Sequence, residues 1–141
     1  MNIDKLFEEN NKNHFSFVTL FTKNVNRLLK DYIKEEFKDK VNLVIVDQDK
    51  LTKEEIDIIA DKSQVCISND PSMLEIFKNN KNLLYQIVFD YNVDAFYPSN
   101  IDFFDPLRND TDKTYKPRLN KSLVHDFKWF LRANRIDYVN Y

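Results

Sequence analysis

The spacing of apolar positions changes several times along the chain. FSFVTLF at 15–21 is a β-branched and aromatic run that predicts a strand. Val25, Leu28, Leu29, Tyr32 and Ile33 then recur at helical spacing, with Lys, Arg, Asp and Glu on the opposite side. VNLVIV at 41–46 is nearly unbroken in apolar residues, as expected of a strand covered on both faces. Thr52 and Glu55 have capping-box spacing and open a predicted helix that runs to about Asp61. VCIS at 65–68 predicts a short strand. Asp70-Pro71 predicts a helix start, with Pro at the first helical position and Met73, Leu74 and Phe77 facing inward. LLYQIVF at 83–89 predicts a further strand. The first dozen residues read as a short helix or an arm.

Strand and helix therefore alternate from 15 to 89, the signature of βαβ units. The expected fold is α/β, a small two-layer or three-layer sandwich. Its sheet is mainly parallel with about four or five strands. The order of the strands does not follow from the pattern. Residues 92–121 break the alternation: Pro98, Pro106 and Pro117 punctuate an aperiodic stretch. It is expected to form a long, partly ordered loop. Phe96, Tyr97, Phe103 and Phe104 should pack it around a short helical turn after Ser99, and 108–120 should be its mobile half. A C-terminal amphipathic helix is expected at 122–136, capped by Asn120 or Ser122. We read 1–141 as a single domain.

Composition changes the picture mainly by exclusion. The chain has 141 residues, 43% of them apolar and 14% aromatic, enough for a core of its own. It has no glycine at all. That excludes a P-loop, a GxGxxG dinucleotide loop and a GxSxG elbow, each of which needs glycine at a close backbone approach or strained turn. Turns must then rely on Asn, Asp and Pro. One cysteine, Cys66, excludes an internal disulfide and a Cys-based zinc site. Cys66 reads as a buried thiol, His125 as a surface residue, and His14 has no evident partner. The opening MNIDKLFEENNKN is unlike a secretory signal, and the longest strictly apolar run, 43–46, is far too short to span a bilayer. The expected location is the cytoplasm. With 17 Asn and 16 Lys against three Ala, the usage suggests an AT-rich genome, such as that of a phage, plasmid or virus.

Carboxylates cluster where strands are predicted to end: Asp47 with Asp49, Asp70, and Asp90 with Asp94. The carboxyl ends of parallel strands form the ligand crevice of open α/β sheets. Oxygen ligands gathered there suit Mg²⁺ and phosphate substrates. The succession VIVDQD, CIS, VFDYNVD resembles that of the haloacid-dehalogenase phosphohydrolases. The resemblance implies Asp47 as nucleophile and Asp49 as acid/base. It also implies Ser68 with Lys78 or Lys81 on phosphate, and Asp90 with Asp94 on the metal. The chain departs from that family in compressing the whole set into 47–94, in lacking the glycine after the Asp pair and in placing a strand ahead of Asp47. Asp47 is also similar to the strand-end Asp of receiver domains, but FSFVTLFTKN lacks their acidic pair.

Charge is divided unevenly. Residues 1–106 carry net −6 and residues 107–141 net +4. On the last helix Lys128, Arg132 and Arg135 form one stripe, beside the expected core face of Leu123, Phe127, Phe130, Leu131 and Asn134. Trp129 falls off that core face. Trp, Tyr and Arg are favoured anchors of protein interfaces. The sequence thus favours a non-enzymatic accessory protein, or an immunity-type inhibitor, that binds a protein partner through Trp129, Lys128, Arg132, Arg135 and Tyr115, with no cofactor. The first alternative is nucleic-acid binding by the same basic segment together with Lys113, Lys116, Arg118 and Lys121. The second is a Mg²⁺-dependent phosphohydrolase using Asp47, Asp49, Asp70, Asp90 and Asp94.

Overall fold

Five parallel strands form one sheet in the computed structural model, which describes residues 2–14, 16–23, 27–80, 82–87, 99–104 and 126–136. They are β1 (Phe17–Phe21), β2 (Asn42–Val46), β3 (Val65–Ser68), β4 (Leu83–Ile87) and β5 (Ile101–Phe104), ordered β2-β1-β3-β4-β5. Helices α1 (Ile3–Glu9), α2 (Arg27–Phe37), α3 (Lys53–Lys62), α4 (Ser72–Asn79) and α5 (126–133) cover the sheet.

Alternate strand residues feed two separate cores, so the α/β sandwich has three layers. Val18, Leu20, Val65, Ile67, Tyr85, Ile87 and Phe104 pack under Ile33 and Phe37 of α2 and Phe127, Phe130 and Leu131 of α5. Phe21, Val44, Val46, Cys66, Leu84 and Ile101 face the opposite way, against α1, α3 and α4. This two-sided burial is why the strands read as nearly continuous apolar runs. The register is in step throughout, for example Phe17 beside Asn42 and Leu84 beside Ile101.

Local signals set the helix starts. The capping box of α3 forms as the spacing predicts: Thr52 Oγ1 accepts from the Glu55 amide at 3.1 Å and Glu55 Oε1 accepts from the Thr52 amide at 3.0 Å. At α4, Pro71 stands just before the first helical residue with φ −58° and ψ −26°, already in the helical region. Asp70 supplies the side-chain cap there, accepting from the Ser72 amide at 3.3 Å. A Lys62–Asp4 ion pair at 2.8 Å ties α1 to α3.

Two residues take left-handed backbone angles among the described residues, Asn13 (φ 62°) and Arg135 (φ 57°). Asn13 is the substitute expected in a chain without glycine. Arg135 ends α5 in a Schellman arrangement: its amide donates to the Arg132 carbonyl (3.1 Å) and the Ile136 amide to the Leu131 carbonyl (2.9 Å).

One expectation is corrected. No helical turn follows Ser99. After a turn at Ser99 and Asn100, residues Ile101–Phe104 form the fifth strand, parallel to β4. Only Ile101 and Phe104 of this edge strand are buried, and Asp102, beside Tyr85 in register, is exposed at the sheet edge, so IDFF lacks the apolar run of the inner strands. The rest of the expected loop over 92–121 lies outside the described residues.

The strand order also defines a crevice. From β1 the chain crosses to β2 on one side, then returns past β1 to β3 on the other. Consistent right-handed crossovers then place α2 in one layer and α3 and α4 in the other, as observed. The direction reverses between β1 and β3, where the carboxyl ends of an open sheet part to admit ligands.

Candidate functional site

Two places gather polar chemistry: the carboxyl ends of β1, β2 and β3, and the outer side of α5. At the strand ends the central group is Asp70, two residues after β3. Its Oδ2 accepts from Ser72 Oγ at 2.6 Å and from Gln48 Nε2 at 2.7 Å. Lys23, just beyond β1, places its ammonium 3.6 Å from Asp70 Oδ2 and 3.7 Å from Asp49 Oδ1. Burial pushes the Asp70 carboxyl up, but the Ser72 hydroxyl and amide, the Lys23 charge and the Gln48 amide outweigh it and hold it below its ordinary range. Ser68 Oγ accepts from the Asp70 amide at 3.0 Å, and Gln86 Nε2 donates to the Asp70 carbonyl at 3.0 Å.

This arrangement shows which strand-end carboxylates meet. Asp49 and Asp70 converge, through Lys23. The Asp47 carboxylate pairs with neither Lys23 nor Asp70; it accepts from the Asp49 amide at 3.1 Å and caps the 3₁₀ turn Gln48–Lys50. Asp90, Asp94 and Lys81 lie outside the described residues. Lys78 pairs with Glu75 along α4 at 3.0 Å. Among the described residues no three His, Cys, Asp or Glu side chains are grouped closely enough to hold a metal. Asp70 caps α4 and binds the ends of β1, β2 and β3 to one another, while the buried Oε1 of Gln48 accepts no hydrogen bond among the described residues.

On the opposite face, α5 is fixed from its first residue. Tyr85, fully buried in β4, donates its hydroxyl to Asp126 Oδ2 at 2.5 Å. Its ring meets Phe127 and Phe130 at centroid distances of 5.0 and 5.1 Å, and Phe127 meets Phe37 of α2 edge-on at 5.0 Å. Burial, then the Asp126 charge, pushes the Tyr85 hydroxyl far above its ordinary value, so it serves as a donor and not as a base. Asp102, register partner of Tyr85 on β5, is also raised, first by burial and further by Asp126, against the opposing Phe103 amide.

That anchoring orients the rest of α5. Phe127, Phe130 and Leu131 face the core, as the spacing predicts. Trp129 is 56% exposed, and the Arg132 guanidinium carbon lies over its ring, 5.3 Å from the centroid. Arg132 and Arg135 are exposed and Lys128 is half-buried. The four side chains assigned to the partner surface on this helix therefore lie away from its fully buried face. Tyr115 lies outside the described residues, as do Lys113, Lys116, Arg118 and Lys121.

The sequence did not single out Lys23, Gln48 or Ser72 at the strand ends, nor Tyr85, Asp102 or Asp126 beside α5. Gln48 and Ser72 each lie within two residues of a flagged aspartate, a proximity that offered a signal. Lys23 gave none, because only the strand order brings β1 between β2 and β3.

Comparison with protein-family models, with curated proteins and with solved structures finds no match to this chain.

Proposed function

We propose that this protein is a non-enzymatic binding factor that docks a protein partner on the outer face of α5. The observation that carries the reading is Trp129: a large indole held 56% exposed beside Arg132, on a helix whose opposite side is fully buried. Further burial of the exposed part of this indole is favourable, and Trp and Arg are among the side chains most enriched among interface anchors. The accessory setting, a phage, plasmid or viral factor or an immunity-type inhibitor of the cytoplasm, rests on composition alone. Among the described residues no helix is long and apolar enough to cross a membrane.

Nucleic-acid binding is the second reading, and the same Lys128, Arg132 and Arg135 stripe supports it. The Mg²⁺-dependent phosphohydrolase reading draws less support, because Asp47 and Asp70 already serve as caps. The test is affinity capture from host lysate with and without nuclease, comparing the natural chain with Trp129→Ala and Arg132→Ala. We expect a stoichiometric protein that survives nuclease, is lost with the variants and rebinds when purified. A partner retained by both variants overturns the proposed surface, and one released by nuclease overturns the protein-partner reading.

A further inference from the structure

Three features of α5 bear on what it docks. The first is the way Arg132 is held. Arg132 lies three residues after Trp129, on the same side of the helix, with its guanidinium over the indole ring. A cation–π contact uses none of the guanidinium's N–H donors, which form a fork matched to the two oxygens of a planar oxyanion.

The second is the charge balance. Lys128 and Arg132 stand about 6 Å apart along the helix axis, at 1.5 Å per residue, and Arg135 follows the helix end. Among the described residues no carboxylate forms an ion pair with any of the three. The neighbouring helix of the same layer is balanced in charge: α2 sets Arg27, Lys30 and Lys34 against Asp31, Glu35 and Glu36, and Lys38 and Lys40 just after it pair with Glu35 and Glu36. From 126 to 136 the three cations face Asp126 alone, which leaves this stretch net positive.

The third is Arg135 itself. A left-handed angle costs a residue with a Cβ about 1–2 kcal/mol, and asparagine tolerates it best after glycine. The chain has 17 asparagines and puts one, Asn13, at its other left-handed position. The absence of glycine thus does not force arginine at 135. The position adds a third exposed cation just past the end of α5, at a cost in backbone strain.

We infer that the occupant of this face is an acidic protein segment, which sets a carboxylate against the Arg132 edge while an apolar side chain covers Trp129. The inference rests on the docking reading above and names the chemistry of its partner. A polynucleotide fits less well. Among the described residues this face offers Lys128, Arg132 and Arg135, which release few counterions, too few for tight binding by phosphate contacts alone. The indole, in contrast, contributes fully when an apolar side chain removes it from water.

The test uses the full chain and its single tryptophan, Trp129, whose emission reports directly on the face. The probes are a short Glu- and Asp-rich peptide with a central Leu, its Gln/Asn analogue and a single-stranded oligothymidylate, at matched ionic strength. We expect a saturable emission shift with the acidic peptide alone, weakened by salt. Arg132→Ala should weaken it about tenfold, and Arg132→Lys should fail to restore it, because an ammonium lacks the fork. Arg132 is exposed, so unchanged far-UV circular dichroism will show that both variants fold. Equal binding of the neutral analogue, tighter binding of the oligonucleotide, or no shift with the acidic peptide each overturns the inference. Lysate capture that still depends on Trp129 in those cases leaves the docking reading standing, so the two failures are distinguishable.

Discussion

At the scale of single residues, Asp102 has a consequence that can be measured. It shares a register position with Tyr85 and feels the charge of Asp126, and its carboxyl is raised in the folded state. A raised folded value means the acid form favours folding. That contribution is present below the unfolded value, near pH 4, and is lost as pH rises through the folded value. Asp102→Asn keeps an oxygen for the Phe103 amide, whose bond to Asp102 Oδ1 is 2.9 Å. The variant should therefore resist urea better than the natural chain at pH 7, and the two should converge below about pH 4. A natural chain as stable as the variant at pH 7 would show that Asp102 carries no unfavourable charge. Asp70 works in the opposite sense: its depressed carboxyl adds stability at neutral pH and loses it on acidification.

Among elements, α5 shows how a helix is held. Most helical stability in proteins comes from packing of one face, so tertiary contacts must seat it. Phe127, Phe130 and Leu131 provide the buried stripe, and the Tyr85 hydroxyl fixes the first residue through Asp126. Tyr85→Phe keeps the ring contacts and removes only that bond. Loss of a hydrogen bond to a charged group should cost about 1.5–3 kcal/mol in urea denaturation. A cost below about 0.5 kcal/mol would mean that packing alone seats the helix. The apolar stripe was legible in the sequence because its spacing is local. The Tyr85–Asp126 bond was not, because 41 residues separate the partners and only the sheet brings them together.

For the whole molecule, the sheet separates two cores and closes both. Cys66 lies at its centre on β3, with no exposed surface. Burial pushes its thiol up to about 12, against a weaker opposing contact from Ser63. The thiolate is the reactive form, so the native protein should not react with a disulfide reagent at pH 8. Labelling should rise with urea in step with the loss of far-UV circular dichroism, making Cys66 a reporter of global unfolding. Fast stoichiometric labelling without denaturant would show that the sheet opens locally.

Local spacing was enough to give the alternation of strand and helix, the buried faces of α4 and α5, the capping box at Thr52 and the reliance on asparagine for a left-handed turn. All of these depend on neighbours within a few residues. Only the tertiary structure decided the order β2-β1-β3-β4-β5 and the recruitment of Ile101–Phe104 as a fifth strand. It alone set the meeting of Lys23, Asp49 and Asp70 and the exposure of Trp129 beside Arg132. The physical reason is common to them. A residue's spacing along the chain fixes which way it faces within its own element. What it meets there is set by which elements pack beside it, and that competition is resolved only when both cores are filled at once.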